Sequence, residues 1–577
     1  MNRRFSIPAT KTFRKETAVT LSLLLGFYSA CVIIADAAGN IGPGVAQSKH
    51  NLSISGGGTI RASAVFNDRA GGEMCIFCHT PHSSVRTAAL WNHSVSGTTY
   101  IPYSSTTTRA VIGQPTGASR LCLSCHDGTV ALGMVRNRRT PIAMKSVAAT
   151  MPRGRSNLGT DLSDDHPISF QYTAALAAKQ GDLLSPPRSG PARLDANGEM
   201  QCTTCHDPHE DAYGKFLVMD NTGSALCLTC HNPEFWMQSA HSFSPKRWNG
   251  LAVNPWPHTS QKTVAANGCE NCHSPHTAGG RQRLLNSAEE EQNCYPCHNG
   301  NVAAKNIQAE FSKASVHPVN NTTGVHDPAE LTLVSAGAKH HVECVDCHNP
   351  HAARAASKPK TGAVSGALGG VRGVNGAGVR VSQITYEYEL CFRCHGDTAK
   401  GPARVSRQFP QLNTRLEFQD ASGLNSFHPV ALPGRNPSVP SLRQPWTVAS
   451  LMTCGDCHNN DGGPGAGGVG PAGPHGSAYE PLLERPMSFA DTAANSANSA
   501  LCYKCHNFVN AAWRDHTRHI SYTACGTCHD PHGSPTAHLM NFDPSVVLGA
   551  RSYKSTGTGH GTCALTCHGK EHAATTY

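Results

Sequence analysis

Charge is scarce in this chain of 577 residues: Asp, Glu, Lys and Arg together make up 15%. Aromatic residues make up only 6%, and sustained helical or strand periodicity is rare. No Gly-rich phosphate loop, nucleophile triad or paired-carboxylate arrangement stands out, which removes the usual signatures of a nucleotide-using enzyme or hydrolase. Long apolar runs are missing except for one, "AVTLSLLLGFYSACVIIA", near the start. It follows five basic residues, Arg3, Arg4, Lys11, Arg14 and Lys15, and precedes a small-x-small step near Ala37. That order reads as a secretory signal over residues 1–37, with an uncleaved anchor as the alternative, since 18 apolar residues approach a membrane span. A lipid anchor at Cys31 fits poorly, because Tyr28 stands three residues before it and the apolar run continues past it. The expected location is therefore outside the inner membrane, in the periplasm or at the outer surface.

Cysteine, histidine, glycine and proline, in contrast, are plentiful. Of 25 cysteines, 22 fall in eleven copies of one pattern, Cys-x-x-Cys-His, and two more in a stretched variant of it. The copies are Cys75, Cys78, His79; Cys122, Cys125, His126; Cys202, Cys205, His206; Cys227, Cys230, His231; Cys269, Cys272, His273; and Cys294, Cys297, His298. They continue as Cys344, Cys347, His348; Cys391, Cys394, His395; Cys454, Cys457, His458; Cys502, Cys505, His506; and Cys525, Cys528, His529. A twelfth, Cys563, Cys567, His568, has three residues between its cysteines. Zinc sites do not need a histidine after every second cysteine, and neither do disulfide frameworks. Covalent attachment of c-type haem does: the thiols form thioethers to the porphyrin and the histidine ligates iron from one face. The cofactor expected is haem c, twelve copies, covalently attached.

The odd-numbered motifs tend to continue as His-x-Pro-His, as in "CIFCHTPH", "CTTCHDPH", "CENCHSPH", "CVDCHNPH" and "CGTCHDPH", whereas the even ones usually follow a leucine. The repeating unit is thus a pair. The expected boundaries are 38–150, 151–235, 236–305, 306–410, 411–510 and 511–577, two haems in each. In these motifs the chain resembles the doubled-CXXCH multihaem c-type cytochromes, similar to the periplasmic and outer-surface electron carriers of metal-reducing bacteria. The resemblance implies electron transfer to other cytochromes, or to extracellular acceptors such as metal oxides, in anaerobic respiration.

With roughly 45 residues per motif, no ordinary aliphatic core can form. The expected fold is mostly irregular coil with short α-helices around a haem-packed core, little β-structure, and an extended series of six di-haem repeats. The net charge of +9 does not argue for nucleic acid: removing residues 1–37 lowers it, and each ferric haem with two ionised propionates adds about one negative charge.

A second ligand must reach each iron from the opposite face, and three residues of chain cannot pass round the macrocycle. His82 is therefore expected to ligate a neighbouring iron, as are His209, His276, His351 and His532, with the proline directing the ring away. The ninth motif delays its Pro-His by a glycine-rich loop, making His475 the substitute. A second set lies upstream of the odd motifs: His50, His166, His241, His317, His428 and, in the last pair, His519, with His258 and His516 as alternatives to His241 and His519. Of the 33 histidines, 21 lie outside the attachment motifs, enough for two on every iron. Six-coordinate bis-histidine haem has no free position and suits electron transfer rather than catalysis at iron. The alternatives are a reductase with one open haem, or a subunit of a conductive filament.

Overall fold

The computed structural model describes residues 44–576 except 65–73, 83, 85–88, 146–148, 322–341, 356–363, 398–404, 420–422, 424, 509–513 and 558–559. The expected signal segment, Trp513 and the spare histidines His326, His340 and His341 lie outside the described residues.

Turns and loops dominate, as the composition implies. The longer helices are α1 (Gly117–His126), α2 (Ala174–Gln180), α3 (Glu387–His395) and α4 (Arg514–Ile520). Strands mostly come as two-residue pairs, such as Ser315–Val316 with Gly476–Ser477 and Ser426–Phe427 with Gly533–Ser534. The exception is an antiparallel sheet of β1 (Val547–Gly557), β2 (His560–Cys567) and β3 (Lys570–Thr576). Residues 379–390 read in sequence as a short strand, but only Arg380–Val381 pairs as one. The rest enters α3, because the Glu389 carboxylate accepts from the backbone N–H groups of Thr385 (2.6 Å) and Tyr386 (3.0 Å) and so caps a helix there. Among the described residues no helix is long and apolar enough to cross a membrane.

Apolar packing is confined to small islands. One gathers Phe170, Tyr172, Ala177, Met200 and Cys230; another Trp256, Val264 and Val302.

Eleven of the twelve motifs share one local structure, a single helical turn. In nine of them the histidine N–H donates to the carbonyl of the first cysteine, from His79 to Cys75 (2.8 Å) through His529 to Cys525 (3.0 Å). The other two end α1 and α3. A turn of this kind brings both thiols and the imidazole to one side. Side chains just ahead of four of the even motifs tie each to the next odd one. Ser119 accepts from Cys202 N–H (3.0 Å) and Ser224 from Cys269 N–H (2.7 Å). Glu290 and Glu387 do the same for Val345 (2.9 Å) and Gly455 (2.6 Å).

Candidate haem sites

Those joints bring thiols of successive motifs together. Cys122 adjoins Cys202, Cys227 adjoins Cys269, Cys294 adjoins Cys344, Cys391 adjoins Cys454, and Cys502 adjoins Cys525. Within each pair the second cysteines are electrostatic neighbours instead: Cys78 with Cys125, Cys205 with Cys230, Cys272 with Cys297, Cys347 with Cys394, and Cys457 with Cys505. Cys528 feels both Cys567 and Cys563. First-to-first and second-to-second neighbours therefore alternate from the first motif to the eleventh, and the eleventh adjoins both cysteines of the twelfth.

Opposite each attachment histidine of the eleven turns stands a second imidazole. On the odd motifs His79 faces His209 (ring centroids 6.1 Å apart), His206 faces His276 (6.1 Å), His273 faces His351 (6.4 Å), His348 faces His475 (6.0 Å) and His458 faces His532 (6.3 Å). On the even motifs His126 faces His50 (6.2 Å), His231 faces His166 (6.2 Å), His298 faces His241 (6.2 Å), His395 faces His317 (6.4 Å) and His506 faces His428 (6.4 Å). His529 faces His516 at 5.9 Å. With metal–nitrogen bonds of about 2.0 Å and a ring nitrogen about 1.2 Å from its centroid, two trans imidazoles sit about 6.4 Å apart. The gaps fit one iron each.

The direction of crossing was not legible in the sequence. Each Pro-His imidazole, or His475 in its place, faces the odd motif of the preceding pair. His82 belongs to the first pair and has no pair before it; it is exposed and faces no other ring among the described residues. The expectation that His82 ligates a neighbouring iron thus finds no partner in the described chain. At the other end no pair follows the eleventh motif, and His516 on α4 takes the position that a Pro-His would fill. His258, the alternative to His241, is engaged through Nε2 with the carbonyl of Glu270 (3.1 Å).

Hydrogen bonds fix the tautomers. Nδ1 of most attachment histidines bonds a backbone carbonyl, for example His126 with Ser156 (2.6 Å), His273 with Arg283 (2.8 Å) and His458 with Pro481 (2.9 Å). This leaves Nε2 with its lone pair toward the facing ring. The imidazoles opposite the even motifs use the proline of the next His-x-Pro-His or its equivalent. His50 bonds Pro208 O (3.0 Å), His241 Pro350 O (2.9 Å), His317 Pro474 O (2.8 Å), and His428 Pro531 O. His166 instead donates its backbone N–H to Pro275 O (2.8 Å). Burial also pushes these rings toward the neutral, ligating form: His166, His298, His351, His458, His506, His516 and His529 to about 4, and His475 to about 3.

The twelfth motif is built differently. Cys563 and Cys567 lie in β2, which separates their Cα atoms by about 13 Å, about twice the span of a helical turn. His568 falls in the β2–β3 turn at φ 50° and reaches Asp491, 3.5 Å away. His519 does not face it; His519 faces His572, at 6.3 Å. His572 pairs in register with Leu565, midway between the two cysteines, so all three project from one face of the sheet.

Comparison with known families places these features. Residues 196–234 match the doubled CXXCH motif, and residues 261–425 match domains II/IV of outer membrane cytochromes of the MtrC/MtrF-like kind. No curated protein matches the chain significantly.

Proposed function

Taking the chain as a multihaem c-type cytochrome, we propose that it is a conduit holding twelve haems in sequence order, each iron between two imidazoles. The observation that carries this is the alternation of neighbouring thiols together with the face-to-face imidazole pairs. Thiols that would bear adjacent porphyrins are near neighbours, so the porphyrins would lie close together, and electrons would pass along the chain without leaving it. The haem supplies the redox change; the polypeptide supplies spacing, two neutral imidazoles per iron and exclusion of water. With eleven irons closed on both faces and the twelfth between His519 and His572, no position is left for a substrate, which favours carriage over reduction chemistry.

The family match over residues 261–425 supports an outer-surface location, with other cytochromes or an extracellular acceptor such as a metal oxide as partners. Reduction of the intact protein by stepwise potential, followed optically, tests the reading. All haems should reduce as low-spin species, and carbon monoxide should bind none of them under native conditions. Stoichiometric carbon monoxide binding to one haem would favour the reductase alternative.

A further inference from the structure

The distal imidazoles fall into three environments, and the difference bears on potential. Those facing even motifs mostly give their Nδ1 proton to a neutral proline carbonyl. Two facing odd motifs give it to a buried carboxylate. His276 bonds Asp165 Oδ1 at 3.1 Å, and His532 bonds Glu417 Oε2 at 2.9 Å; each carboxylate side chain is only 4% exposed. A third pair, His209 with Asp207, has similar chemistry at 3.3 Å but is 63% and 46% exposed. The Nδ1 of His475 is buried with no hydrogen-bond partner.

Both carboxylates have neighbours: Asp164 adjoins Asp165 in sequence and is an electrostatic neighbour of it. Asp165 also accepts from Thr277 N–H (3.1 Å), while its other oxygen is buried and unpartnered. Near Glu417 a second acid, Asp530, lies within 4.8 Å, but its charge is offset by Arg407 at 3.4 Å. This acidic group could suggest a cation, yet His532 already satisfies Glu417 and Arg407 satisfies Asp530, so the arrangement serves the imidazole. A carboxylate on Nδ1 makes the imidazole a stronger donor and favours ferric over ferrous iron; low surrounding dielectric enlarges the effect, and exposure shrinks it.

We propose that Asp165 and Glu417 are positioning residues that set the lowest potentials in the chain, at the haems of the third and ninth motifs. The proposal rests on the axial pairing proposed above. It divides the series into segments bounded by two reducing points, with the haem facing His475 among the most oxidising.

The test is redox titration of full-length haem-loaded Asp165→Asn and Glu417→Gln, which keep the size and an acceptor oxygen but remove the charge. Each should move about one-twelfth of the optical change out of the low-potential end, by at least tenfold in its one-electron equilibrium, or about 59 mV. Haem mass and low-spin spectrum should match the unsubstituted protein, and exposed-site Asp207→Asn should shift less. Superimposed titrations, or an equal shift in Asp207→Asn, would overturn the proposal. So would lost haem or a high-spin signal confined to the variants, since that would make the carboxylates structural. A high-spin signal already present in the unsubstituted protein would instead refute the axial pairing beneath it.

Discussion

One proline serves two sites in the His-x-Pro-His turn. Its ring turns the following histidine toward the preceding pair, while its carbonyl holds the Nδ1 of a histidine on the neighbouring even site, as Pro208 does for His50 and Pro350 for His241. His209→Ala should therefore open the iron at His79 alone, giving one high-spin haem by electron paramagnetic resonance. His82→Ala should leave the spectrum unchanged, because His82 faces no ring among the described residues. The motif itself marked these histidines as candidate ligands. Which iron each one reaches was not legible, since crossing direction depends on contacts between residues about 70 to 130 positions apart. The carboxylates of Asp165 and Glu417 were not singled out, since Asp165 stands beside His166 but turns to His276, 111 positions away, and Glu417 reaches His532, 115 positions away. Acid sensitivity also belongs at this scale. The buried imidazoles fall from an ordinary 6.5 to about 4 or below, so the unfolded chain takes up their protons first. Stability should hold above about pH 6.5 and decline as pH falls toward 4, seen as a falling denaturation midpoint.

Single helical turns and two-residue strand pairs recur because each motif needs only one turn to gather two thiols and an imidazole. That much follows from Cys-x-x-Cys-His itself, and the structure bears out a fold of coil and short helices. The three-stranded sheet at residues 547–576 was not foreseen: "CALTCH" reads like a stretched copy of the motif, yet His568 falls in the turn beyond β2 and reaches Asp491, whereas His572 registers with Leu565 between the two cysteines. His572→Leu should therefore yield one high-spin haem without loss of covalent haem, as judged by intact mass with the optical spectrum. His568→Leu should keep all haems low-spin; the reverse pattern would restore His568 as the ligand. Helix α4 gives a related expectation. His516 and His519, three residues apart, serve two different sites, so disrupting this helix should open two irons together.

Across the described residues, apolar packing is confined to small islands, which favours haem as the material of the core. Chain produced without haem attachment should lack cooperative thermal unfolding, and circular dichroism of such material checks this. Composition made this visible early, because so little charge, aromatic surface and periodicity cannot fold by itself. The linear order of sites was hidden, as it arises from Ser119, Ser224, Glu290 and Glu387 bridging one turn to the next. Everything proposed about conduction depends on closed irons in an unbroken series. Electron paramagnetic resonance of the ferric protein, quantified against covalent haem, tests that most directly: twelve haems per chain, all low-spin with bis-imidazole signatures, are predicted, and a stoichiometric high-spin haem or fewer than eleven low-spin centres would contradict it.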